Sequence, residues 1–187
     1  MPEDLIDLAC KCAINSELLQ KHGSVLVCAS NIFTGYNHFK YSIHSKQSKL
    51  CIPIHAEEDA INNFILYCRK KHFNDLYIRK LLNKSILIII RVKNEQLKTS
   101  TPCFHCIKMI KHYGIKTIIY SDTSNTSNTS NTSNTHNNDI DNIQNNEFIN
   151  TNNNILIKKK IRDINNNWES SGNRWRSTSS NSNAIRI

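Results

Sequence analysis

Residues 85–92 read Ser-Ile-Leu-Ile-Ile-Ile-Arg-Val, with an unbroken apolar run from Ile86 to Ile90. Successive side chains of a strand point to opposite faces, so such a run must be covered on both sides. β-Branched isoleucine favours this extended conformation over a helix. The run is far short of the ~20 apolar residues that cross a bilayer. It therefore belongs at the centre of a sheet with other elements packed above and below.

The neighbouring segments supply those elements. Residues 3–21 carry Leu5, Leu8, Ala9, Cys12 and Ala13 at helical spacing, with Leu18 and Leu19 extending the stripe, and Gly23 ending it. Residues 24–36 read as two strands meeting near Ser30-Asn31, and the polar, basic residues 38–50 as a loop. From Glu58 to Tyr67, Ala60, Ile61, Phe64 and Ile65 share one helical face. Pro102 suits the first turn of another helix, Gly114 its end, and Thr117–Tyr120 a further strand. The order α-β-β-α-β-α-β predicts a layered α/β domain with a mixed sheet over residues 1–120.

The character changes after Tyr120. Four Thr-Ser-Asn copies fill residues 123–134, and asparagine stays frequent up to Asn167, so 121–154 reads as a low-complexity insertion or linker. In residues 155–164, Ile157, Ile161 and Ile164 fall at i, i+4 and i+7 with Lys158, Lys159 and Lys160 between them, which reads either as a helix returning to the domain or as a solvated basic segment, ahead of a disordered tail to residue 187. The net charge is +9, and residues 1–120 hold 17 of the 24 Lys+Arg against 9 of the 15 Asp+Glu. That surplus suits an anionic partner, and equally a lysine-rich solvated surface. Seven cysteines behind a Met-Pro-Glu-Asp start that lacks a basic-then-apolar leader point to reduced thiols and an intracellular protein, cytoplasmic or nuclear.

Two short segments carry the chemistry: His55-Ala-Glu57 and Pro102-Cys103-Phe-His-Cys106. Each sits at a predicted helix start. Cysteines three apart on a first turn bring their sulfurs to one point, and a helix N-terminus favours the thiolate. A neutral imidazole from the other helix adds a third donor. His55, Cys103 and Cys106 thus make a zinc site with one tetrahedral corner left for water, as catalytic zinc requires. Glu57, two residues from His55, is placed to move protons without binding metal. Taken singly, these residues read as a core histidine, a first-turn carboxylate and two buried cysteines; the combination is what points to a metal.

The order H-x-E…P-C-x-x-C resembles the known signature of zinc deaminases. Residues 3–120 resemble the cytidine and deoxycytidylate deaminase superfamily. Gly23-Ser-Val-Leu-Val and Thr34-Gly-Tyr-Asn37 are similar to its first strand pair, and His55-Ala-Glu-Glu-Asp-Ala-Ile61 to its first zinc helix. Residues 102–120 are close to the deoxycytidylate branch, with Lys108 two places after the second cysteine and Gly114-Ile115 before the strand. The resemblance implies a three-layer αβα fold with a mixed central sheet flanked by helices, Zn2+ as cofactor, and a homo-oligomer. It also implies that Asn37 contacts the substrate sugar and that the reaction is hydrolytic deamination of a cytosine nucleotide, most plainly dCMP to dUMP.

Two other readings share these residues. One is a deaminase of adenosine or cytidine in RNA; the other is a non-catalytic zinc module, which needs a fourth protein ligand such as Cys51 or His105. His105 between the cysteines is expected to point away from the metal. Some deoxycytidylate deaminases carry a second, structural zinc, for which His38, His44 and Cys51 lie in the matching loop. Lys40, Lys46 and Lys49 are candidates for a substrate phosphate or plain solvated lysines. Family members usually run on into a further helix and strand after the position of Tyr120, where this chain has the Thr-Ser-Asn tract. Gly172–Trp175 is a candidate closing segment, and a polar tail is the competing reading.

Overall fold

The apolar run forms β5 (Ile86–Lys93), and both its faces are covered. Leu87, Ile88, Ile89 and Ile90 have no exposed surface. Burial of each contributes about 1.5–3 kcal/mol. β5 pairs antiparallel with β1 (Lys21–Cys28) and parallel with β7 (Thr117–Asp122). This is a computed structural model, and it describes residues 3–45, 48–123, 147–151 and 154–164.

The sheet has seven strands in the order β2-β1-β5-β7-β9-β8, where β2 is Asn31–Tyr36, β8 Glu147–Thr151 and β9 Asn154–Lys160; β6 (Gln96–Lys98) pairs with the end of β5. Helix α1 (Glu3–Ile14) packs Leu5, Ile6 and Ala9 on one face against Val25, Ile88 and Ile90. Helices α2 (Ala56–Lys70), α3 (Asp75–Leu82) and α4 (Phe104–Tyr113) cover the other face through Ile61, Phe64, Leu82, Ile107 and Ile110, against Leu26, Leu87, Ile89 and Ile118. The result is the expected three-layer αβα architecture with a mixed sheet. The crossover β5–α4–β7 joins two parallel strands, as such a connection requires.

Several local expectations are corrected. The first helix stops at Ile14 rather than reaching residue 21, and Leu19 is 99% exposed. There the buried Ser16 hydroxyl donates to the Asn37 carbonyl and turns the chain into β1. Gly23 lies inside that strand: a Cβ there would press on the backbone of Ala9 and Ala13, so the glycine lets α1 sit close on the sheet. The polar stretch 38–50 is a separate antiparallel ribbon, β3 (His38–Ser45) and β4 (Ser48–Ile54). A two-stranded ribbon needs no long apolar run, and it accepts Pro53 because both its strands are edges.

Residues 155–164 form no α-helix. Asn154–Lys160 are β9, antiparallel to β7, followed by a 3-10 turn over Ile161–Asp163. Leu156 packs on the α1 side and Ile157 on the opposite side, so the short apolar run is a strand buried on both faces. Helix α3 is an addition to the expected order of elements; its Asn74 side chain accepts from the Tyr77 amide at 2.8 Å, a regular N-cap. Pro102 precedes the Cys103 N-cap instead of occupying the first turn, while Gly114 ends α4 at φ 81° as expected. The Thr-Ser-Asn tract beyond Thr123, Lys46 and Gly172–Trp175 lie outside the described residues.

Candidate metal centre

His55 is the N-cap of α2, extended at φ −83° and ψ 155°, and its carbonyl accepts the Asp59 amide at 3.0 Å. The helix is pinned to β2 by two side chains: Asp59 accepts from the Tyr36 amide at 3.1 Å, and Asn63 donates to the Thr34 carbonyl at 2.9 Å. Gly35 allows this approach, since a Cβ there would meet the backbone of Ala56 and Ala60. Glu57 follows in the first turn, 5% exposed.

Cys103 is the N-cap of α4 and Cys106 lies on its first turn; both are buried. The segment that delivers them is fixed by two serines. Ser100 and Ser121 join as amide-to-carbonyl (2.8 Å) and amide-to-hydroxyl (2.9 Å) partners. The Ser100 hydroxyl donates to the Ile89 carbonyl at 2.7 Å, and the Ser121 hydroxyl to the Lys98 carbonyl at 2.6 Å. Both amides and both hydroxyls of this buried knot are satisfied, which makes it rigid.

Two helix starts therefore meet. The Cys106 sulfur lies 3.2 Å and the Cys103 sulfur 3.6 Å from His55 Nδ1. The three ligand atoms all fall within 4.8 Å of one another, and among the described residues no other His, Cys, Asp or Glu completes such a group with them. One imidazole nitrogen and two sulfurs fit zinc, and three protein donors leave a fourth corner free. A hydrogen bond from Cys106 and another from His55 draw Cys103 down to about 3 despite burial, so the pair readily yields a thiolate. Cys106 moves the opposite way, because it shares its proton with Cys103 and is buried. Burial raises the Glu57 carboxyl, with the His55 charge opposing.

Asn37 borders this end of the sheet, 8% exposed. Its Oδ1 accepts the His22 amide at 2.8 Å, and its Nδ2 donates to the Gln20 carbonyl at 2.6 Å. One amide hydrogen and one lone pair remain for another contact. His22 itself is held near 4, chiefly by burial, with Arg91 and His55 adding to the effect. His22, Arg91, Ser100 and Ser121 were not singled out in the sequence. Register against the apolar run was the one signal available for Arg91. The side chains of His44, Lys49 and Cys51 lie outside the described residues, as does Lys46, so the second-zinc and loop-phosphate expectations find no geometry here. Lys40 is exposed.

The fold and the donor set define a zinc-binding deaminase domain. The model of the cytidine and deoxycytidylate deaminase zinc-binding region matches residues 2–122, and the chain belongs to that family. No curated protein and no solved structure matches it. Zinc is the cofactor that the family and the His55, Cys103 and Cys106 cluster share. No helix among the described residues is long and apolar enough to cross a membrane.

Proposed function

We propose that the protein deaminates a cytosine nucleotide hydrolytically, dCMP to dUMP, with His55, Cys103 and Cys106 as ligands and Glu57 as the proton carrier. The observation that carries this reading is a buried carboxylate, Glu57, beside a donor set it does not join. Zinc held by that set would supply a water acidic enough to ionise near neutral pH. Glu57 takes a proton at its carboxylate from the attacking water and passes it to N3 of the ring. A second proton goes by the same route to the amine at C4. The C4–N bond breaks, ammonia leaves, and one water has been consumed per uracil formed.

The raised Glu57 carboxyl supports this role, because a group that neither holds nor releases its proton too firmly serves both halves of the reaction. Asn37, with its spare donor and acceptor, is the sugar contact in this reading. The test is ammonia release by zinc-loaded protein from dCMP, cytidine and tRNA side by side. Turnover of dCMP with stoichiometric dUMP is expected. Turnover of tRNA alone replaces the substrate assignment, and turnover of none in a zinc-replete sample removes the enzyme assignment.

A further inference from the structure

We propose that Arg91, with Lys98 beside it, forms an anion subsite that receives the 5′-phosphate of a nucleoside monophosphate. The inference deepens the deaminase reading and rests on it for the identity of the ligand.

Four residues form a row across the sheet. Asn37 and His22 are joined by two hydrogen bonds, Asn37 N to His22 O at 3.2 Å and His22 N to Asn37 Oδ1 at 2.8 Å. His22 stands opposite Arg91 in the β1–β5 register, and Arg91 opposite Lys98 in the β5–β6 register. The pleat decides which way they face. Leu26, Leu87 and Ile89 pack with the cluster of α2 and α4 that contains Cys103 and Cys106, while Ile88, Ile90 and Leu97 pack on the α1 side. With a period of two, His22, Arg91 and Lys98 share the face of the metal centre. The electrostatic reach of His55 and Cys103 to His22 agrees with that placement.

Arg91 is half-buried, with the root of its guanidinium inside. Its Nε is buried and has no hydrogen-bond partner among the described residues. Burying such a donor unpaired is unfavourable, and a planar fork of N–H groups is matched best by a carboxylate or phosphate. Lys98 Nζ donates to Gln96 Oε1 at 3.0 Å, which leaves two of its three hydrogens for an anion. His22 is neutral at physiological pH, so Arg91 and Lys98 are the cations of this row. The nearby carboxylate, Asp122, is engaged by the Thr99 hydroxyl at 3.3 Å. A ligand with its base at the metal and its sugar at Asn37 would run along this row, with its phosphate toward Arg91.

The test is calorimetric binding of dUMP and of deoxyuridine to the zinc-loaded full chain, in the wild type, Arg91→Gln and Arg91→Lys. Zinc content and circular dichroism serve to verify the fold. Arg91→Gln is expected to weaken dUMP about 10-fold or more and to leave deoxyuridine unchanged, the scale of one charge-assisted contact. Arg91→Lys is expected to recover part of the loss. Equal weakening of both ligands, an unchanged dUMP affinity, or a wild type that does not prefer dUMP to deoxyuridine would overturn the subsite. So would an Arg91→Gln defect confined to a short single-stranded oligonucleotide, which would assign the arginine to a nucleic-acid backbone. Arg91-dependent preference for dUMP in a protein that deaminates nothing would keep the subsite and remove the enzyme. Deamination of dCMP and deoxycytidine with equal efficiency, insensitive to Arg91→Gln, would do the reverse.

Discussion

His55 Nδ1 and the Cys106 sulfur lie 3.2 Å apart although 51 residues separate them in sequence. Nothing local in the chain brings them together; β5 and the serine knot do. With Cys103, they hold the one cluster of three metal-binding groups among the described residues. The wild type is expected to carry one zinc per chain by elemental analysis. Cys103→Ser and Cys106→Ser should each lose that stoichiometry and melt at lower temperature, because metal affinity adds directly to folding stability. Full occupancy in either serine variant would count against ligation.

Glu57 stands outside the donor set, so its loss should separate metal binding from chemistry. Glu57→Gln keeps the shape of the side chain and removes its ability to carry a proton. The expected outcome is unchanged zinc content with kcat lowered about 100-fold or more. An unaltered kcat would mean that the protons travel elsewhere.

The His55, Cys103 and Cys106 cluster, its neighbour Glu57 and the central strand were legible because each is announced by residues close in sequence: His55 and Glu57 two apart, Cys103 and Cys106 three apart, and Ile86–Ile90 without a break. What went unread depends on partners distant in sequence. Ser100 and Ser121 look like ordinary strand-end serines until their strands are side by side. Residues 157–164 show isoleucines at a helical interval, yet Leu156 and Ile157 are buried on opposite faces of one strand beside β7, a neighbour that sequence periodicity does not reveal. The β3–β4 ribbon hid for a different reason. Phe39, Tyr41 and Ile43 alternate with Lys40, Ser42 and His44, but the basic composition masked that period of two.

The serine knot offers a test of how the cysteine segment is held. Ser100→Ala removes the donor to the Ile89 carbonyl and the acceptor of the Ser121 amide, leaving both buried and unmatched. The expected cost is about 1–3 kcal/mol in urea unfolding. Zinc should also bind more weakly, by competition with a chelator, since Pro102 and Cys103 follow directly. A variant as stable as the wild type would show that other contacts position the loop.

His22 gives the fold a defined response to acid. Its imidazole is held near 4 by burial, below the ordinary value of about 6.5 that the unfolded chain restores. Between these values the unfolded state binds the extra proton, so stability must rise with pH across that interval. The contribution is fully present above pH ~6.5 and is lost as pH falls toward 4, amounting to about 1–3 kcal/mol. His22→Asn takes the titrating group away. The stability difference between wild type and variant, from urea unfolding at matched pH, should therefore favour the wild type most at pH 7 and shrink as pH falls from 6.5 to 4.5. Comparing the two proteins at each pH cancels the loss of zinc as its ligands are protonated. A difference that stays constant over this range would show that His22 takes up its proton in the folded protein as easily as in the unfolded one.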